Sequence, residues 1–163
     1  MSGDASAQDT MLATFRREQG AGGVSYWGWM SSYGPGELVR VNGTLNAREY
    51  ILILEDVMLP TVRAMAIPEG ESIIFVQNRS RIHTAHIVTE WLSRHPEIQV
   101  MDWPVKGCDI NPIENLWGIM KQEIIMGPER TCDAIDRSVR EVWESVRRRP
   151  NVCERPCRPA SMR

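Results

Sequence analysis

No run of apolar residues in this 163-residue chain approaches the roughly 20 that a bilayer-crossing helix requires, so the sequence offers no membrane span. The opening MSGDASAQDT is polar and does not read as a signal peptide, and an intracellular protein is the expectation. Cysteine is scarce and badly spaced for metal. Cys108, Cys132, Cys153 and Cys157 form no C-x-x-C pair, and no histidine lies near the last two, which argues for reduced thiols over a zinc site. Nor does either sign of charge dominate. The 19 Lys and Arg against 21 Asp and Glu leave −2, which by itself argues against a strongly nucleic-acid-binding surface. No internal repeat is present.

What remains is the composition of one globular domain, 42% hydrophobic and 25% charged, long enough to bury a real core. Its charge is segregated. Residues 1–136 carry 11 Lys and Arg against 18 Asp and Glu, whereas residues 137–163 carry 8 Arg against 3 Glu. Arg147 and Arg148 in that basic end could meet phosphate, or belong to a solvated helix face and a loose tail.

Residues 1–23 are small, polar and Gly-rich, and read as an irregular tail. Val24–Ser31 is an aromatic-rich strand, 32–36 a turn and Glu37–Val41 a second strand, giving a hairpin. Thr44 or Asn46 caps a helix with Ala47, Tyr50, Ile51, Leu54 and Met58 on one face, which Pro60 must kink or interrupt. The apolar run at 72–77 suits a strand buried on both faces. A helix over 85–93, a short strand over 98–101 and a helix capped by Thr131 follow. That last helix has Ile135, Val139, Val142 and Val146 on one side. The order of elements is that of an α/β fold.

The best-specified stretch is Asp109-Ile110-Asn111-Pro112-Ile113-Glu114-Asn115-Leu116-Trp117-Gly118. Asn111 is a good N-cap, Pro112 falls at the first helical position, and Glu114 can close a capping box. Ile113, Leu116, Trp117, Met120 and Ile124 continue as a stripe of helical period. By spacing alone Glu114 is a capping carboxylate.

DINPIENLWG, with WPVKGC before it, also resembles the third-carboxylate segment of mariner-superfamily DDE transposases. VSYWGWMSSYG, ELVRVNGTLNAREYILILEDVMLP and IIFVQNRSRIHTA extend the likeness from about Val24 to Asn151. The resemblance implies a ribonuclease-H-like mixed sheet with flanking helices, occupying residues 24–127, with a C-terminal helix and basic tail over 128–163. It implies metal-dependent DNA cutting and strand transfer, Mg or Mn as cofactor, DNA as partner, a possible homodimer and a nuclear location. Neither a membrane nor a small-molecule substrate is implied. On this reading Glu114 is a catalytic metal ligand, and Lys106 and His83 join Arg147 and Arg148 as candidate nucleic-acid contacts. Read from its surroundings in the sequence, His83 is first a local cap or packing residue, and Asp109 fixes the helix entry.

Two departures argue for an inactive fragment. The family's second aspartate is replaced by Asn78, with 35 residues between it and Glu114, and Arg79 and Arg81 add positive charge nearby. An amide oxygen brings no negative charge to a pair of dications, so productive Mg or Mn binding is not expected. The family's first aspartate lies on a central strand upstream of VSYWGW, where Asp4 and Asp9 are the only candidates here. That strand, and the DNA-end-binding region before it, are expected to be missing, which would leave unpaired edges inside the sheet and a marginal fold unless residues 7–15 or a partner strand fill the gap. The alternative is a domesticated module, without enzymatic activity, that binds DNA or protein.

Overall fold

The computed structural model describes residues 7–15, 24–31, 34–65, 69–77, 80–102, 112–124 and 131–149; for 7–15, 31, 101–102 and 112–115 the description is of the backbone alone. Five strands, β1 (Ala7–Phe15), β2 (Val24–Ser31), β3 (Gly34–Val41), β4 (Ile73–Gln77) and β5 (Ile98–Asp102), form one sheet in the order β3-β2-β1-β4-β5. β1 and β2, and β2 and β3, pair antiparallel; β1 with β4 and β4 with β5 are parallel. The expected mixed sheet is present.

Its centre is not empty. Residues 7–15, taken from composition as part of an irregular tail, form β1, and this strand bridges the hairpin and the parallel pair. The missing central strand is therefore corrected. Gln8 to Phe15 alternates short polar and apolar residues weakly, but the two flanking strands supply hydrogen-bonding partners along its length, and pairing outweighs propensity.

Side-chain alternation along β2 then builds two cores. Trp27 and Trp29 face one side, packing with Tyr50, Leu54, Met58, Val62, Phe75, Val88 and Trp91 from β4, the helices α1 (Ala47–Ile53), α2 (Leu59–Ala64) and α3 (His86–Ser93), and the turn Leu54–Met58 that joins the first two helices. Tyr26 and Met30 face the other, with Leu116, Trp117 and Met120 of α4 (Pro112–Glu123) and Ile135, Val139, Trp143 and Val146 of α5 (Cys132–Arg147). Burying each such side chain contributes about 1.5–3 kcal/mol. The tryptophans Trp27, Trp29, Trp117 and Trp143 are core residues.

Local chemistry sets the helix ends. Asn46 is the cap of α1: its side chain accepts from the Glu49 N–H, and the Glu49 carboxylate accepts from the Asn46 N–H. Thr131 caps α5 by accepting from the Ala134 N–H. Pro60 interrupts as expected, in a specific way. The helix widens upstream into one π turn, Leu54–Met58, in which the Leu59 N–H reaches the Leu54 carbonyl, and Pro60 falls in the first turn of α2 where it needs no N–H.

Candidate active-site face

Register decides which residues can meet. On the central strand Asp9 is paired with Val76 of β4 on one side and Met30 of β2 on the other. Met30 belongs to the core beneath α4 and α5, while Phe75, the neighbour of Val76, belongs to the opposite core. Position 9 thus lies on the face that α4 covers, and α4 lies against β1. β4 ends at Gln77. Glu114 is the third residue of α4. The sheet therefore places Asp9 in the middle strand, on the side of the helix that carries Glu114.

Asn78, Lys106 and Asp4 lie outside the described residues, as do Asp109 and Arg79. Among the described residues no group of three His, Cys, Asp or Glu could hold a metal ion. Taken by chemistry alone, a donor set of Asp9, Asn78 and Glu114 would offer two carboxylates and one neutral amide. Two dications held close together carry four positive charges, so this set does not fit a metal pair.

The remaining sequence candidates are resolved by their surroundings. His83 is buried, 5% exposed, with its ring 4.6 Å from that of Tyr50. Its ring packs beside Tyr50 and is not presented on the surface. The Arg147 guanidinium donates to Glu144 at 3.1 Å on its own helix. Arg148 is exposed and lines an open groove with Arg140, Glu141, Glu144 and Ser145. Carboxylates thus lie among these arginines.

α5 is anchored by a polar contact at its base. The Tyr26 hydroxyl donates to Asp136 at 2.6 Å, and Arg140 donates to the other oxygen of the same carboxylate at 3.0 Å. Burial, reinforced by the Asp136 carboxylate, pushes the Tyr26 phenol well above its usual range. For Asp136 burial works towards a higher pKa, but the hydrogen bonds from Tyr26 and Arg140 and the charges of Arg140 and Arg40 outweigh it, and the carboxyl is held below its ordinary value. At the far end Arg149 grips Glu123 of α4 through two hydrogen bonds of 2.6 Å, which lower the Glu123 carboxyl.

Sequence reasoning undervalued two residues. Asp9 is one of two candidates for the family's first aspartate, set against a solvated tail carboxylate, and its signal is the weak alternation of Gln8 to Phe15. Gln77 was read as the polar end of an apolar run, and only its burial, at 8% exposed, reveals it as part of a core contact.

A central antiparallel–parallel strand, flanked by a helix bearing a carboxylate on the same side, is the scaffold of a DDE nuclease, and the sequence agrees. The profile of the DDE superfamily endonucleases matches residues 6–136, so the chain belongs to that family. Within it the relatives are Tc1/mariner transposases. The chain is 34% identical to the Tcb1 transposase of Caenorhabditis briggsae over 129 residues, covering 79% of this chain and 46% of that protein. It is 27% identical to the Tc3 transposase of Caenorhabditis elegans over 134 residues, covering 80% of this chain and 39% of that one. It spans less than half the length of these relatives. Among solved structures, the Mos1 transposase catalytic domain with raltegravir and Mn superposes with a TM-score of 0.73 at 14% identity, covering 90% of this chain and 72% of that one. The Mos1 paired-end complex with Mn gives 0.70 at 14% identity, covering 91% and 53%. The ribonuclease-H-like fold expected from the motifs is the fold observed. No helix among the described residues is long and apolar enough to cross a membrane.

Proposed function

We propose that the chain is a transposase-type catalytic domain that has lost phosphoryl transfer while keeping the scaffold for it. The observation that carries this reading is Asn78, directly after β4, where the family has its second aspartate. With Asp9 on β1 and Glu114 on α4, the deficit is one anion, where the motifs alone suggested two. In a working site the Mg or Mn ions would activate water or a 3′-hydroxyl and stabilise charge on the phosphate. Here Asp9 and Glu114 supply carboxylates that would draw a single cation, and Asn78 supplies a carbonyl oxygen without charge. DNA is the partner this lineage implies, and a nuclear location follows from DNA as partner. Lys106 and Arg148 are the cations proposed for backbone contact.

The test is nicking of supercoiled plasmid in Mn²⁺ by the full chain and by Asn78→Asp. Wild type is expected to be silent, and Asn78→Asp to nick on the order of 10² to 10⁴ faster, the value of one restored anion in a metal-assisted transition state. Adding Glu114→Ala or Asp9→Ala to that variant abolishes the gain. Nicking by wild type that Glu114→Ala removes would show the inactive reading to be wrong. A gel-shift titration across salt concentrations tests the DNA partner, since phosphate contacts weaken steeply with salt.

A further inference from the structure

One arginine joins the far ends of α4 and α5. Arg149, just past the end of α5, donates through Nη1 and Nη2 to the two carboxylate oxygens of Glu123, the last residue of α4, at 2.6 Å each. The same Nη2 also donates to Ser145 Oγ at 3.3 Å, four residues back on its own helix. Arg149 is therefore shared between two helices. Its side chain is 42% exposed and that of Glu123 35%. An ion pair this open to water is weak, so a stronger anion within reach takes the guanidinium. Ser145 can become that anion.

Exposure, position and neighbours suit Ser145 to receive a phosphoryl group. It is exposed, and so are Arg147, Arg148 and Arg149, which follow it by two, three and four residues. It lies in the last turn of α5, two residues from the end, where a helix frays first and can be drawn out into the groove of a kinase. Ser138 also has an arginine two residues on, Arg140, but it is half-buried in the middle of the helix. Arg148 lines an open groove with Ser145, and so do Glu141 and Glu144. Glu144 is engaged by Arg147 at 3.1 Å. The two carboxylates and the negative end of the helix dipole push a phosphate on residue 145 toward Arg148 and Arg149. We infer that Ser145 is a phosphorylation site for an arginine-directed serine kinase, and that its phosphate takes Arg149 from Glu123 and frees the end of α4. In the step itself Ser145 Oγ bonds to the γ-phosphorus of ATP, the P–O bond to ADP breaks, and the hydroxyl proton passes to a base of the kinase. The product carries about −1.5 to −2 in charge and three acceptor oxygens, against one charge and two oxygens for a carboxylate. Arginine holds such a group through parallel hydrogen bonds, and here it already touches the atom that would bear it.

The full chain and Ser145→Ala are incubated with magnesium ATP and a purified serine kinase selective for arginine on the C-terminal side of its acceptor. Peptide mass spectrometry is expected to find phosphate on Ser145 and none on Ser138. In ³¹P spectra the phosphate should take up its last proton below the pH of about 6 typical of phosphoserine, and Arg149→Gln should bring that pH back up. Amide hydrogen exchange over residues 119–124 is expected to rise about threefold on phosphorylation, with α1 and α3 unchanged. Glu123→Gln raises it as much in the unmodified chain and adds nothing in the phosphorylated one. No phosphate on Ser145, or as much on Ser138, overturns the site. The handover of Arg149 is overturned by a protonation pH that Arg149→Gln leaves unmoved, by unchanged exchange in α4, or by an effect of Glu123→Gln that persists in full after phosphorylation.

Discussion

At the residue scale, hydrogen bonds that link distant parts of the chain have outsized consequences here. Tyr26 and Asp136 are 110 positions apart in sequence, and their 2.6 Å contact fastens α5 to β2. Tyr26→Phe deletes the donor without changing the packed ring, and leaves a partly buried carboxylate short of one partner. It should cost about 1–3 kcal/mol in urea unfolding at neutral pH. The pH dependence has a definite sign. Asp136 is depressed in the folded state, so its contribution is present above the ordinary carboxylate value of 3.8 and is lost as pH falls through the lower folded value. The stability difference between wild type and Asp136→Asn should therefore be flat from neutrality to about pH 5 and shrink below pH 4. A difference that grows on acidification would contradict the assignment. Gly36 is the second sensitive residue. An added Cβ would lie 2.1 Å from the Trp29 ring, while the Gly36 carbonyl accepts from the Trp143 indole at 3.0 Å. Neither buried indole can step aside, and Gly36→Ala should destabilise by several times the roughly 1 kcal/mol of an average substitution, read as a fall in urea midpoint.

At the element scale, the sequence was most legible where a helix end has its own chemistry. Thr131 and the Ile135, Val139, Val146 stripe announced α5, and all three apolar residues are buried. Asn46 was one of two possible caps, and the reciprocal bond with Glu49 chose it. Asn46→Ala should lower stability by about 1 kcal/mol, measurable as a shift in thermal midpoint, because it leaves the Glu49 N–H of the first turn without its side-chain acceptor. Pro60 was legible as an interruption, but not as a π turn, since residues 54–58 contain nothing that distinguishes widening from a break. β1 was the least legible element. Its residues lack the β-branched and aromatic density of Val24–Ser31, and what makes them a strand is the pair of strands on either side, information that no local window holds. The site inherited this asymmetry. Glu114 and Asn78 could be placed from their flanking motifs, whereas Asp9 gains its position only from register with Met30 and Val76.

At the scale of the whole molecule, β1 is the element on which both halves depend. It is hydrogen-bonded to β2 over residues 9–15 and to β4 over 7–10, and α4 rests on it. Without it the sheet divides into the hairpin β2–β3 and the parallel pair β4–β5, each with a new unpaired edge in what had been the interior. An isolated hairpin is marginal in water, and a two-stranded parallel pair more so. The core that holds Trp27 of β2 and Phe75 of β4 also loses the strand that lies between them. Deleting residues 1–15 should therefore abolish cooperative unfolding in urea altogether and expose apolar surface to the dye ANS, with helical signal partly retained. Replacing Thr10, which lies in the doubly paired stretch, by proline removes one ladder donor and should reproduce the effect in weaker form. If the shortened chain still unfolds in one sharp transition with its tryptophans buried, the sheet can close without β1. The carboxylate it contributes would then have no fixed place in the site.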